Sequence, residues 1–107
     1  MSSPMPIQPS DATLKKYGLS AIEWQSIAIR QHAVCGVCHN LPQSRRLHID
    51  HEHVKGFKKM PPEEKKKYVR GLLCFICNHY YCGRGINLAK ANGLFCYLKD
   101  YKERGAK

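Results

Sequence analysis

The chain has 107 residues, a length that corresponds to one domain with a thin hydrophobic core. Its 18 Lys and Arg outnumber its 8 Asp and Glu, and the resulting net charge of +10 favours a polyanionic partner such as nucleic acid. No stretch approaches the roughly 20 apolar residues that a membrane-spanning helix requires, so no membrane partner is expected.

The N-terminal segment is expected to be a flexible arm. Met1 to Asp11 contain three prolines and three serines, and this composition offers too little apolar surface to order a segment. We therefore divide the chain into an arm, residues 1–12, and one domain, residues 13–107. The arm also lacks the apolar core of a secretory signal, which favours a reducing cytoplasm.

A capped helix follows the arm. Ser20-Ala21-Ile22-Glu23 has the pattern of a capping box, in which the serine and glutamate side chains each accept from the other residue's backbone N–H. The helix is expected to extend to about His32. Its inward face is predicted from helical spacing and consists of Trp24, Ile27 and Ala28, widened by Ile22 and Ile29.

Two Cys-x2-Cys pairs predict a structural metal site. They are Cys35 with Cys38 and Cys74 with Cys77, and four thiols at this spacing are typical of a tetrahedral zinc centre. Disulfides are the alternative, which the missing secretory signal disfavours.

Two histidines and the two remaining cysteines allow more than one interpretation. A neighbouring histidine, His39 or His79, could replace one thiol as a zinc ligand. The two remaining cysteines, Cys82 and Cys96, are interpreted as buried small hydrophobic residues or as spectators.

Two short strands are predicted between and beside the cysteine pairs. Leu47 to His51 alternates, with His48 and Asp50 on one side, and Tyr68 to Leu73 could pair with it in antiparallel orientation. The intervening segment, Val54 to Lys67, is a polar loop with six lysines, in which the prolines could start one helical turn.

Two helical segments are predicted in the C-terminal part. A helix beginning near Cys77 would carry Asn78 in its first turn, facing Asp50 and His51. After a break at Gly83-Arg84-Gly85, apolar residues from Leu88 to Tyr101 repeat at helical spacing and predict a core helix that closes the fold.

Asp50, His51 and Asn78 together offer what phosphodiester hydrolysis requires. The carboxylate and amide oxygens are hard ligands suited to a hydrated Mg²⁺, and His51 could accept a proton from a water beside that ion. The alternative is a second structural zinc site built from Asp50, His51 and His53.

At these residues the sequence resembles the phage recombination endonuclease VII group of the HNH, or His-Me finger, nucleases. Cys35-x2-Cys38 resembles the first cysteine pair of that family. The segment Leu47-His48-Ile49-Asp50-His51-Glu52-His53 is similar to its histidine-rich strand. The most specific match is Val69-Arg70-Gly71-Leu72-Leu73-Cys74-x2-Cys77-Asn78. Tyr17-Gly18-Leu19 and Tyr97-Leu98-Lys99-Asp100-Tyr101 also resemble family members, so the likeness runs from about residue 15 to 101.

The resemblance implies a small α+β fold: a ββα-metal unit stapled by a four-cysteine structural zinc and flanked by N- and C-terminal helices. It implies a phage-encoded, Mg²⁺- or Mn²⁺-dependent DNA endonuclease acting in the bacterial host cytoplasm. Asp50 and Asn78 become ligands of the catalytic metal and His51 the general base. His53 would position phosphate, with His48 as a helper. Some members carry a glutamate where this chain has Tyr81, so the role of that acid is missing or met elsewhere.

Three further expectations concern DNA contact, oligomeric state and competing functions. Basic residues beside the strands are predicted to form a DNA-tracking surface: Lys55, Lys58, Lys59, Lys65, Lys66, Lys67 and Arg70.

Because both long helices use their apolar faces in the core, a monomer or weak homodimer that nicks one strand is predicted. The alternatives are a resolvase of Holliday junctions or other branched DNA, a noncatalytic zinc-stapled DNA-binding module, and a protein-interaction zinc module of the RING type.

Overall fold

A computed structural model describes residues 5–83 and 85–105. Within them, α-helices span Asp11–Lys16 (α1), Ala21–Arg30 (α2), Pro62–Lys65 (α3) and Leu88–Glu103 (α4), and a π-helix spans Cys77–Tyr81. Strands His48–His51 (β1) and Val69–Leu73 (β2) form an antiparallel two-stranded sheet. The fold is therefore a small α+β domain, as predicted. None of the helices in the described ranges is long and apolar enough to cross a membrane.

Residues 5–10 lie along the domain. The backbone N–H of Ile7 donates to the carbonyl of Arg45 at 2.7 Å, and Nε of Arg45 donates to the carbonyl of Met5 at 2.8 Å. Ser10 then caps α1 by accepting from the N–H of Thr13. Helix α1 thus begins inside the segment expected to be an arm, in which these hydrogen bonds and the burial of Pro6 hold the chain against the domain. The first four residues of that arm, and Arg84 in the predicted chain break, lie outside the described residues.

The capping box at the start of α2 is confirmed. Ser20 accepts from the N–H of Glu23 at 3.0 Å, and the Glu23 carboxylate accepts from the N–H of Ser20 at 2.9 Å. The helix ends at Arg30, two residues earlier than predicted, and the chain reverses where His32 and Ala33 adopt positive φ angles of 59° and 64°.

Only one narrow face of α2 is covered. Trp24, Ile27 and Ala28 are buried, as predicted, whereas Ile22 and Ile29 are exposed. The prediction that these two isoleucines widen the inward face is wrong, since the elements that pack on α2 leave its sides in solvent.

The sheet carries the centre of the core. Ile49 lies opposite Leu72 and Asp50 opposite Gly71, and the register shifts between Asp50 and His51. Such an irregularity bends a strand and redirects its side chains. Ile49 and Asp50 precede this shift and point to opposite faces of the sheet, yet both are buried, so both faces are covered there; His51 is half-buried at the end of β1.

The side-chain amide of Gln31 extends the sheet. It donates to the carbonyl of Leu72 and accepts from the N–H of Leu72, both at 2.8 Å, as a neighbouring strand would. A Cβ on Gly71 would approach the Gln31 amide oxygen to 2.6 Å, so glycine permits this pairing. Gln31 thereby joins the end of α2 to the strand that leads into the second cysteine pair.

The single helical turn predicted at the prolines is confirmed as α3, with Pro62 at its first position. Gly18, at φ 70°, lies directly against it, and a Cβ there would collide with the carbonyl oxygen of Pro62. The loop between the strands is therefore packed on the turn that joins α1 to α2.

Helix α4 forms as predicted but does not close the core. Asn87 caps it by accepting from the N–H of Lys90, yet none of its residues is buried. Its large apolar side chains, Leu88, Leu94, Phe95, Tyr97, Leu98 and Tyr101, are 53–86% exposed. The prediction of a closing core helix is wrong. Helical periodicity shows that a helix has an apolar face, and does not show what covers that face.

Candidate metal centre and active site

The two cysteine pairs converge on one point. One sulfur from each of Cys35, Cys38, Cys74 and Cys77 lies within 4.8 Å of every other, and the sulfurs of Cys38 and Cys74 are 3.8 Å apart. A tetrahedral zinc with Zn–S bonds of about 2.3 Å separates its sulfurs by about 3.8 Å. The four thiols therefore fit one structural metal such as zinc, and this group contains neither His39 nor His79.

Hydrogen bonds and burial act differently on two of these thiols. Burial alone would raise the pKa of Cys35, but N–H groups of Cys38, Cys74 and Val37 directed at its sulfur outweigh that effect and lower the pKa to about 7. Burial, reinforced by the adjacent thiols of Cys74 and Cys35, raises the pKa of Cys77. Without a cation the set resists full ionisation, because four thiolates at this spacing repel one another.

The other two cysteines differ from each other. Cys82 is half-buried and packs against the core, and burial raises the pKa of its thiol. Cys96 is exposed on α4, so of the two interpretations, buried hydrophobic residue or spectator, only the second applies to Cys96.

The predicted catalytic side chains line one cleft. It has a volume of about 220 Å³ and is lined by Asp50, His51, His53 and Asn78, with Tyr17, Ile49, His79 and Gly83. Strand β1 supplies the carboxylate and the imidazole of His51, the segment just after it supplies His53, and the π-helix supplies the amide of Asn78. A strand and a helical turn that are distant in sequence thus place the four side chains around one space.

His51 lies between two rings. Its imidazole stacks on Phe57, with centroids 4.0 Å apart and planes 15° apart, and on His53, at 4.9 Å and 12°. Burial, followed by the charge of His53, lowers the pKa of His51. The stack therefore orients the ring and favours its neutral form, which is the form that can accept a proton.

Asp50 is the buried carboxylate of the cleft. It is 5% exposed, and the guanidinium of Arg70 donates to both of its oxygens, from Nε at 2.7 Å and from a terminal nitrogen at 3.0 Å. Arg70 also donates to the carbonyls of Cys82 and Ile86, each at 3.1 Å. We call this arrangement the Arg70 clamp. It ties the carboxylate to β2 and to the segment that leads into α4.

Asn78 is held beside the four thiols by backbone hydrogen bonds. Its N–H donates to the carbonyl of Cys74 at 2.9 Å, and the N–H of Cys82 donates to the carbonyl of Cys77 at 2.9 Å, five residues back. The predicted helix is thus a single π turn, a form that is frequent at functional sites. Because Cys77 directly precedes Asn78, ordering of the thiols also orders the amide.

The predicted DNA-tracking residues occupy different environments. Lys66 pairs with Glu23, Lys67 lies 3.5 Å from Glu64, and the ammonium of Lys65 lies over the ring of Phe57. The others on the loop, Lys55, Lys58 and Lys59, are exposed. Arg70 directs its hydrogen bonds into the protein through the clamp.

Sequence reasoning missed the part of Phe57 in the site. It is the one buried side chain of its 3₁₀ turn, Phe57–Lys59, and it contacts both His51 and Tyr17. The available signal was a lone aromatic residue in a lysine-rich loop, since such a residue is expected to bury itself somewhere.

Four thiols lie beside a cleft of carboxylate, imidazole and amide side chains and define a small, strongly basic domain that could hold one structural metal. The sequence model of the family described as recombination endonuclease VII matches residues 10–103, and the chain belongs to this family. The resemblance to the recombination endonuclease VII family, drawn from the motifs, is thereby confirmed.

Two phage proteins are similar to the chain. The Gene 59 protein of Mycobacterium phage D29 is 37% identical over 71 residues, which cover 65% of this chain and 36% of the phage protein. The Gene 59 protein of Mycobacterium phage L5 is 34% identical over 71 residues, covering 65% and 37%. The matched region thus spans little more than a third of either relative. No solved structure matches the chain significantly.

Proposed function

We propose that the chain is a metal-dependent DNA endonuclease of the HNH, or His-Me finger, class that hydrolyses phosphodiester bonds and nicks one strand. Its ββα-metal unit would consist of β1, β2 and the π turn. The observation that carries the proposal is the convergence of Asp50, His51, His53 and Asn78 on one cleft.

The donor set suits Mg²⁺ or Mn²⁺. Asp50 and the amide oxygen of Asn78 would hold the ion, and each carboxylate oxygen keeps a second lone pair beside the bond from Arg70. When bound, such an ion polarises the phosphate and neutralises charge that develops on its oxygens.

The protein side chains supply the remaining steps. His51, neutral and fixed by its stack, accepts a proton from the attacking water. His53, exposed on the outer side of the stack, positions the phosphate, and His48 helps from the start of β1. Exposed lysines of the loop bind the DNA backbone by charge and without sequence preference.

A plasmid-nicking assay tests the proposal. The wild-type chain should convert supercoiled to nicked plasmid with Mg²⁺ and lose this activity in a chelator too weak to remove the structural metal. Asn78→Ala should need more Mg²⁺ for the same rate. A chain that binds plasmid but never nicks it under any divalent metal would instead support the noncatalytic DNA-binding module.

One observation favours a second candidate, the branched-DNA resolvase. Resolving a junction needs two coordinated cuts and so two active sites, whereas a monomer was predicted because both helices were expected to use their apolar faces in the core. The exposed face of α4 removes that reason. Light scattering that shows a stable dimer, together with paired symmetric cuts on a synthetic junction, would favour the resolvase over a monomeric nicking enzyme.

A further inference from the structure

A row of aromatic rings begins at the rim of the catalytic cleft. The rings of Phe75 and His79 are parallel, with centroids 5.3 Å apart and planes 8° apart. His48 meets Phe75 edge-on at 6.1 Å, and Tyr80 meets His79 edge-on at 4.7 Å. We call Phe75, His79, Tyr80 and His48 the aromatic row.

The row is open to solvent and continuous with the cleft. Phe75 is 57% exposed and Tyr80 68% exposed, while His79 also lines the cleft together with Asn78. On the other side His48 lines a neighbouring depression of about 380 Å³ with Arg46. A strand of DNA whose phosphate lies beside Asn78 would therefore bring its adjacent nucleotide over these rings.

The chemistry around the row fits nucleic acid. The segment 74–85 contains no acidic residue, and the chain as a whole carries a net charge of +10. An aromatic pair at i, i+4 stabilises a helical turn by only about 0.2–0.5 kcal/mol. Helix stability accounts for the Phe75–His79 contact, and gives no reason to expose large apolar side chains beside a basic cleft.

We propose that the aromatic row is a base-stacking platform, on which Phe75 receives an unpaired base of the DNA next to the cleaved phosphate and His79 supports the ring from its other side. An aromatic face accepts any base, whereas a base within a duplex is already stacked on its neighbours. The platform therefore favours DNA with an unpaired base at the cleft over continuous duplex. This inference rests on the proposed nuclease function for the position of the phosphate.

The test uses binding without cleavage, so that it gives an answer even if the chain never cuts DNA. The full chain carrying His51→Ala, in EDTA at a concentration that leaves the zinc in place, is titrated with a single-stranded oligonucleotide that contains 2-aminopurine and with the matching duplex. Phe75→Leu keeps an apolar side chain and removes the ring. Ile76→Ala is the matched control, since Ile76 is equally exposed at 57% in the adjacent position.

We expect Phe75→Leu to weaken single-strand binding by about 5- to 150-fold and to diminish the quenching of 2-aminopurine, with little change in duplex binding. Phe75→Trp should restore both, and Ile76→Ala should change neither. Zinc content and thermal unfolding should stay at wild-type values, because Phe75 is exposed.

Two results would overturn the platform. One is unchanged single-strand affinity and quenching in Phe75→Leu. The other is an equal loss in Phe75→Leu and Ile76→Ala, which would show general apolar contact instead of stacking. If the platform binds as expected but wild-type protein never nicks, the nuclease proposal fails and the platform remains.

Discussion

Removal of the Arg70 side chain tests whether the clamp positions the catalytic carboxylate. Arg70→Ala deletes four hydrogen bonds, two to Asp50 and two to backbone carbonyls, and leaves a carboxylate that is 5% exposed without its cation. Breaking a buried ion pair on one side costs about 3–5 kcal/mol. Because the Arg70 side chain is itself 32% exposed, water can enter, and we expect a loss of about 2–4 kcal/mol.

The assay is thermal unfolding of the zinc-loaded chain. A loss of this size in a domain of this length lowers Tm by roughly 10–20 °C. Arg70→Lys keeps the charge but loses the planar fork, so it should recover only part of the loss. Arg46→Ala, which removes an exposed arginine, is the control and should leave Tm unchanged.

The same variant separates positioning from DNA contact. If Arg70 instead contacts DNA phosphate, as the sequence predicted, Arg70→Ala should keep the wild-type Tm and lower the slope of log affinity against log salt by about 0.9. That result would refute the clamp. An unchanged salt slope together with the lowered Tm supports it.

Three further predictions concern the metal, the base and the loop. Cys38→Ser should release zinc, measured by elemental analysis, and abolish the cooperative unfolding transition. The reason is that zinc binding at structural sites supplies about 10–16 kcal/mol in small peptides. Folded, active protein without zinc would contradict this prediction. Because the pKa of His51 is lowered, the nicking rate should fall with decreasing pH only below the ordinary histidine pKa of about 6.5. Phe57→Ala exposes the ring and should move this fall to higher pH. An unchanged pH profile in Phe57→Ala would contradict the role of the stack. Alanine at the first three lysines of the loop should lower the slope of log affinity against log salt by about 0.9 for each DNA phosphate that is no longer neutralised. The decrease should be larger than for alanine at the last three, which lie against Glu23, Glu64 or the Phe57 ring. Wild-type slopes in both variants would show that the loop does not bind the DNA backbone. These sets are Lys55, Lys58 and Lys59, and Lys65, Lys66 and Lys67.

Local signals in the sequence predicted much of the fold. The capping box at Ser20 and Glu23 depends on residues three apart, and each cysteine pair is recognised by its Cys-x2-Cys spacing. Alternation from Leu47 to His51 predicted β1, and the prolines predicted the turn that is α3. In each case the residues that make the contacts lie close together in sequence or share an unmistakable chemistry.

The features that sequence reasoning missed depend on three-dimensional neighbours. Nothing local shows that Phe57 stacks on His51, or that Arg70 turns inward to Asp50 instead of outward to solvent. The exposed face of α4 was misjudged because an apolar periodicity is the same for a core helix and for a helix that the described residues leave exposed. Which side chains share a cleft, and which are left exposed, is decided by packing.

The most direct test of the nuclease proposal compares His51→Ala with the wild-type chain at equal zinc content in Mg²⁺. The measurement is the initial rate at which supercoiled plasmid becomes nicked. Since His51 accepts the proton of the attacking water, the variant should be slower by about 10²- to 10⁴-fold while its Tm stays close to the wild-type value. A His51→Ala variant that nicks at nearly the wild-type rate would contradict the proposed mechanism.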